Sequence, residues 1–106
     1  MSGYSQKCLA KLESMGAPCK GWICEQVVTM DDATFSCELC GYDRIRYVHV
    51  MVHTDWDGKI CVGCVCDGTM SGDMLAAQKR DEDAKRRDNR RKAFLKKQWE
   101  LQGNNV

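Results

Sequence analysis

The chain has 106 residues, 43% of them hydrophobic, with one Pro, nine Gly and eight Cys, which suits one folded domain and excludes two large cores or wholesale disorder. No run of 18 apolar residues occurs, so no segment reads as a membrane-spanning helix. The net charge of +1 hides a division: residues 1–78 carry six basic and ten acidic side chains, net −4, while residues 79–106 carry ten and five, net +5.

All eight cysteines lie before residue 67, in the acidic part. The chain therefore divides into a cysteine-rich body, 1–72, and a basic helical arm, 73–106. Met1 to Lys7 lacks the apolar stretch of a signal peptide, and Ser2 does not suit N-myristoylation. The expectation is a cytoplasmic protein with reduced thiols, where many cysteines point to metal before disulfides.

Tyr4 to Met15 places Cys8, Leu9, Leu12 and Met15 on one apolar helical face, ended by Gly16 and Pro18. On that face Cys8 reads as a small buried hydrophobe. Trp22 to Met30, with Ile23, Val27 and Val28, favours a strand. After the Asp31-Asp32 turn, Thr34 to Cys37 is expected to return as its partner. Ile45 to Val52 alternates Val48, Val50 and Val52 with Tyr47, His49 and Met51, a strand pattern. Asp57-Gly58 is the strongest turn signal in the chain and predicts a hairpin whose second strand is Ile60 to Gly63. A long helix is predicted from about Asp73 to about Leu101, capped by Ser71 or Asp73. Between Lys79 and Lys92 only Ala84 is apolar, so this stretch is expected to stay solvated. Acid-before-base pairs at four-residue spacing (Asp81–Lys85, Glu82–Arg86, Asp83–Arg87, Asp88–Lys92) support it.

Cys37-x-x-Cys40-Gly41 has the form of a zinc knuckle, two thiolates that share an ion across a tight turn permitted by Gly41. The second pair must come from Cys61, Cys64, Cys66, His49 and His53. Spacing alone favours Cys61-x-x-Cys64. A hairpin closed at Asp57-Gly58 instead sets His49 opposite Cys64 and Tyr47 opposite Cys66, at the open end near the knuckle, and leaves Cys61 with the opposite parity. The predicted zinc ligands are Cys37, Cys40, Cys64 and Cys66, with His49, His53 and Cys61 as substitutes. A second site drawing on Cys8, Cys19, Cys24 and Cys61 is a weaker option, because its spacing is unremarkable.

Knuckle, hairpin and ligands at the entry to a helix make a treble-clef-like, α+β zinc-binding domain, here with an N-terminal helix and a long C-terminal basic helix. This chain also resembles a group of small uncharacterised treble-clef-like zinc-finger proteins from bacterial and phage genomes. The resemblance rests on Cys37-Glu38-Leu39-Cys40-Gly41, Ile45 to Met51 with His53, Val62-Gly63-Cys64-Val65-Cys66 and Met70-Ser71-Gly72-Asp73. It implies a zinc-binding fold, a phage-type origin and no particular activity. In that group the position of Cys61 is not recurrent, and a small residue usually stands where this chain has Asp67.

For function, the basic helix offers Lys85, Arg86, Arg87, Arg90, Arg91, Lys92, Lys96 and Lys97 to phosphates, with Trp99 or Phe94 able to stack on a base. The leading expectation is a nucleic-acid partner, DNA or RNA. The alternative is a protein-interaction adaptor, or an inhibitor of host machinery, acting through Phe94, Leu95 and Trp99. An enzyme is disfavoured: four protein ligands leave zinc no open position, and no motif assigns a general base. No membrane or small-molecule substrate is expected.

Overall fold

The alternating valines form the middle of the domain. A computed structural model of the protein describes residues 3–103, with side-chain surroundings as far as residue 97. It consists of α1 (Gly3–Met15), β1 (Ile23–Thr29), β2 (Tyr47–His53), β3 (Trp56–Val62), α2 (Cys64–Ser71) and α3 (Met74–Gly103). The sheet is antiparallel in the order β1-β2-β3, and its central strand is buried from Val48 to Met51. Phe35 and Ile45 make only an isolated bridge, so the strand expected at Thr34–Cys37 is one residue pair before the knuckle turns the chain. This is the small α+β fold read from the sequence: N-terminal helix, three antiparallel strands, long C-terminal helix.

The hairpin differs from the expected one. Asp57-Gly58 is not its turn; the chain reverses at Thr54-Asp55, with His53 opposite Trp56 and Met51 opposite Ile60. Residues 57–59 therefore face a single β2 residue, a bulge in which Gly58 takes φ +87°. A left-handed conformation suits Gly in a bulge as well as in a turn. The tighter turn is held by the Asp55 N–H, which donates to His53 Nδ1 at 2.9 Å. Aromatic packing of Trp22 on His53 (5.2 Å) and Trp56 (6.4 Å) adds to it. The register correction sets His49 opposite Val62 and leaves Cys64 and Cys66 off the sheet.

Those two cysteines instead open a helix that the pattern did not reveal. α2 contains Gly68 and is only eight residues long, poor credentials on propensity. Tertiary packing overrides them: Cys66, Asp67, Gly68 and Met70 are all buried. At Gly68 a Cβ would lie 2.5 Å from Met74 Sδ and 3.0 Å from Met74 Cα, so the glycine lets α3 cross close by. Asp73 caps α3, accepting the Ala76 N–H at 3.0 Å.

α3 is not solvated along its whole predicted middle. Ala77 and Ala84 are buried against the body, and so is Asp88. Residues 77, 81, 84 and 88 fall on one side of a 3.6-residue helix. Beyond Asp88 the helix leaves the body. The domain measures 59 × 26 × 22 Å with a radius of gyration of 16.7 Å, against about 13 Å for a compact chain of this size.

Candidate metal centre

The knuckle forms as the sequence implies. Cys37 N–H donates to Tyr42 O at 2.8 Å and Gly41 N–H to Cys37 O at 3.1 Å, with Gly41 at φ +79°. Glu38 ties this turn to β3, its N–H to Cys61 O and its carboxylate accepting the Cys61 N–H at 2.8 Å. The turn brings Cys37 and Cys40 against the first turn of α2, where Cys66 completes a group of three thiols within 4.8 Å of one another. Cys37 and Cys66 are buried, and Cys37 Sγ lies 3.5 Å from Cys66 Sγ and 3.5 Å from the Cys40 N–H that donates to it.

The chemistry of this group fits a thiophilic ion. Four sulfurs about 2.3 Å from a zinc ion stand about 3.8 Å apart in a tetrahedron, close to the observed spacing, whereas a disulfide needs about 2.05 Å. Cys37 ionises readily: its contact with the Cys66 sulfur favours the thiolate, and against the opposing effect of burial the N–H groups of Cys40, Leu39 and Gly63 also help. Its pKa falls to about 5, and that of its partner Cys66 is pushed far up. Cys40 is raised, chiefly by burial. A metal ion held by these three sulfurs would displace their remaining protons and supply the positive charge that the buried sulfurs lack.

Of the predicted ligands, Cys37, Cys40 and Cys66 come together, and Cys64 lies apart from them. Cys64 faces α3, where it groups with His49 and Asp81; burial, then the Asp81 and Asp67 carboxylates, raise its thiol to about 11. Cys61 pairs with Val50 on the sheet, and its thiol is raised by burial and by Glu38. His53 is occupied at the far end of the sheet, its Nε2 bonded to Lys20 O at 3.0 Å.

His49 is fully buried in an ion-pair cluster joining β2, α2 and α3. Its Nδ1 bonds Asp67 Oδ2 at 2.5 Å and its Nε2 bonds Asp81 Oδ1 at 2.9 Å. Arg80 holds Asp67 from the other side, Nε to Oδ2 at 3.1 Å and Nη2 to Oδ1 at 2.5 Å. Burial works against charge on His49, but hydrogen bonds to Asp67, Asp81 and Cys24 prevail and lift its pKa to about 10. Burial likewise opposes ionisation of Asp67, and the bonds from His49 and Arg80 hold it below the usual carboxylate range. Cys24, His49 and Asp67, like His49, Cys64 and Asp81, are close enough to share an ion. Here, though, both ring nitrogens and the buried carboxylate already satisfy one another, so this cluster serves as a lock, unlike the sulfur group. The sequence marked Asp67 only as a departure from the resemblance, and no local signal linked it to Arg80 and Asp81.

A second lock lies two turns further along α3. Asp88 accepts from Arg46 Nε at 3.0 Å, from Tyr47 Oη at 3.0 Å and from Lys92 Nζ at 3.3 Å. Of the expected helix pairs, Glu82–Arg86 (4.0 Å) and Asp88–Lys92 are formed, and Arg86 also meets Asp83 at 3.8 Å. The eight predicted phosphate-binding side chains, Lys85, Arg86, Arg87, Arg90, Arg91, Lys92, Lys96 and Lys97, are exposed; the Trp99 side chain lies outside the described residues. Among the described residues no helix is long and apolar enough to cross a membrane. Comparison of the chain with protein-family models, with curated proteins and with solved structures finds no match.

Proposed function

We propose that this protein is a non-enzymatic, intracellular zinc-stabilised domain that binds nucleic acid through the distal half of α3. The observation that carries this reading is the charge beyond the last packed residue. From 89 to 97 the helix holds Arg90, Arg91, Lys92, Lys96 and Lys97 and no acidic residue. Among the described residues only Lys92 of these five makes an ion pair. Helical rotation sets Arg86, Arg90 and Lys97 on the side opposite Ala77 and Ala84, a stripe of cations facing away from the body. A cleft of about 490 Å³ near the root of α3, lined by Tyr4, Tyr42, Tyr47 and Arg44 among others, adds ring faces suited to stacking on an unpaired base. Zinc, held by Cys37, Cys40 and Cys66, contributes folding energy to the body.

Fluorescence anisotropy with labelled single- and double-stranded oligonucleotides tests the reading. Affinity should fall steeply with salt, and changing Arg90, Arg91, Lys96 and Lys97 together to Glu should weaken it at least about a hundredfold and flatten the salt slope by about one per lost phosphate contact. Unchanged affinity in a folded variant refutes it. One observation favours the adaptor reading: Phe94 and Leu95 are 60% and 52% exposed on the same helix. A protein complex lost on changing both to Ser, with no salt-dependent oligonucleotide binding, would establish that alternative.

A further inference from the structure

Three thiols leave a tetrahedral zinc site one ligand short, and the geometry points to Cys8 of α1 as the fourth. This inference rests on the zinc reading above and deepens it. Cys8 is fully buried, and α1 turns its buried side, Ser5, Cys8 and Leu12, inward. Ser5 Oγ and Thr69 Oγ1 are hydrogen-bonded at 2.9 Å, which fixes how α1 lies on α2. From that bond, one turn forward on α1 reaches Cys8 and one turn back on α2 reaches Cys66. The two helices thus run past each other with Ser5 on Thr69 and Cys8 on Cys66. Cys8, Cys37 and Cys66 belong to one buried cluster, and the Cys8 and Cys66 thiols are near enough to shift one another's ionisation. The Cys8 sulfur lies outside the group of three that stand within 4.8 Å of one another, so it would have to close on the ion as the ion binds.

The other thiols are committed elsewhere. Cys64 stands beside Asp81 and Asp67, Cys61 beside Glu38 and Lys59, Cys24 beside His49, and Cys19 is exposed. A Cys8 ligand explains why a mainly polar N-terminal helix, anchored by few apolar residues, is held on the domain. Zinc then clamps three separate segments: α1, the knuckle and α2.

X-ray absorption on the zinc-loaded full chain counts the sulfurs. The wild type should show four at about 2.3 Å. A chain with Cys19, Cys24, Cys61 and Cys64 all changed to Ser should keep all four. Cys8→Ser should show three sulfurs and one oxygen or nitrogen, with zinc affinity weakened beyond the 10–100-fold that loss of an outer hydrogen bond costs. Three sulfurs in the wild type, or loss of one in the fourfold variant, overturns Cys8 and leaves the zinc reading standing. A chain that takes up no zinc overturns both. The fourfold variant decides the matter even where Cys8→Ser does not fold.

Discussion

His49→Gln removes the positive charge from the contact of β2, α2 and α3. The folded pKa of about 10, against an ordinary 6.5, makes the charged ring worth up to about 5 kcal/mol, at about 1.4 kcal/mol per pKa unit. Breaking a buried ion pair from one side costs about 3–5 kcal/mol, the same order. A domain of this size has only about 5–15 kcal/mol in total, so the variant should lose a large share of its stability near pH 6.5. Because the folded pKa is raised, the contribution is fully present below about pH 6.5 and is lost as pH rises through about 10. Urea unfolding of zinc-loaded wild type and His49→Gln, from pH 6 to pH 10, should therefore give a gap that shrinks by about 1.4 kcal/mol per pH unit above 7. Taking the difference cancels thiol ionisation, which both chains share. A gap that stays constant would mean His49 is neutral in the folded protein, with a proton on Asp67 or Asp81, and the charged lock would be refuted.

Chelation of zinc, or Cys37→Ser, should unfold the knuckle and α2, because a structural ion's binding energy is folding energy; retained near-ultraviolet circular dichroism and amide dispersion in the metal-free chain would contradict this. Gly68→Ala should destabilise by about 1–3 kcal/mol through the clash with Met74, outweighing the helix-propensity gain of about 1 kcal/mol. A second change, Met74→Ala, should recover the part due to the side chain and leave the part due to Met74 Cα, as read from thermal unfolding.

The features with local causes were the legible ones. α1 ends as Gly16 predicts, with Ala17 N–H bonded to Leu12 O at 2.9 Å, and the knuckle and the valine-rich strand follow from spacing of neighbouring residues. Errors arose where one local signal admits two structures. Gly at positive φ serves a turn or a bulge, and at Gly58 the choice is made by the distant Trp22, against which both flanks of the turn pack. That choice moved the register by two residues and changed the ligand geometry inferred from it. α2 was hidden because its helicity comes from burial rather than propensity. The packing of α3 was hidden for a related reason: its buried side is Ala and ionised residues, and only the partners His49, Asp67, Arg46 and Tyr47 make such a side burial-competent.

Cys66 and Asp67 are successive residues of α2, so their side chains diverge by about 100°, one toward the thiols and the next toward His49 and Arg80. The short helix therefore links the metal group to the root of α3, and loosening one loosens the other. It also bears on why an acidic body does not fold its own basic arm against itself. Asp67 of the body, and Asp81 and Asp88 on α3 itself, are already bonded to His49, Arg80, Arg46 and Tyr47. Nine helical residues beyond Asp88 carry the chain about 13 Å further out, past the Debye length of about 8 Å at physiological salt. Arg90 and Arg91 lie within that length of Asp88, and Lys92 is paired with it. Only at Lys96 and Lys97 is the body's negative charge largely screened, so these two are where the proposed polyanion contact would be least opposed.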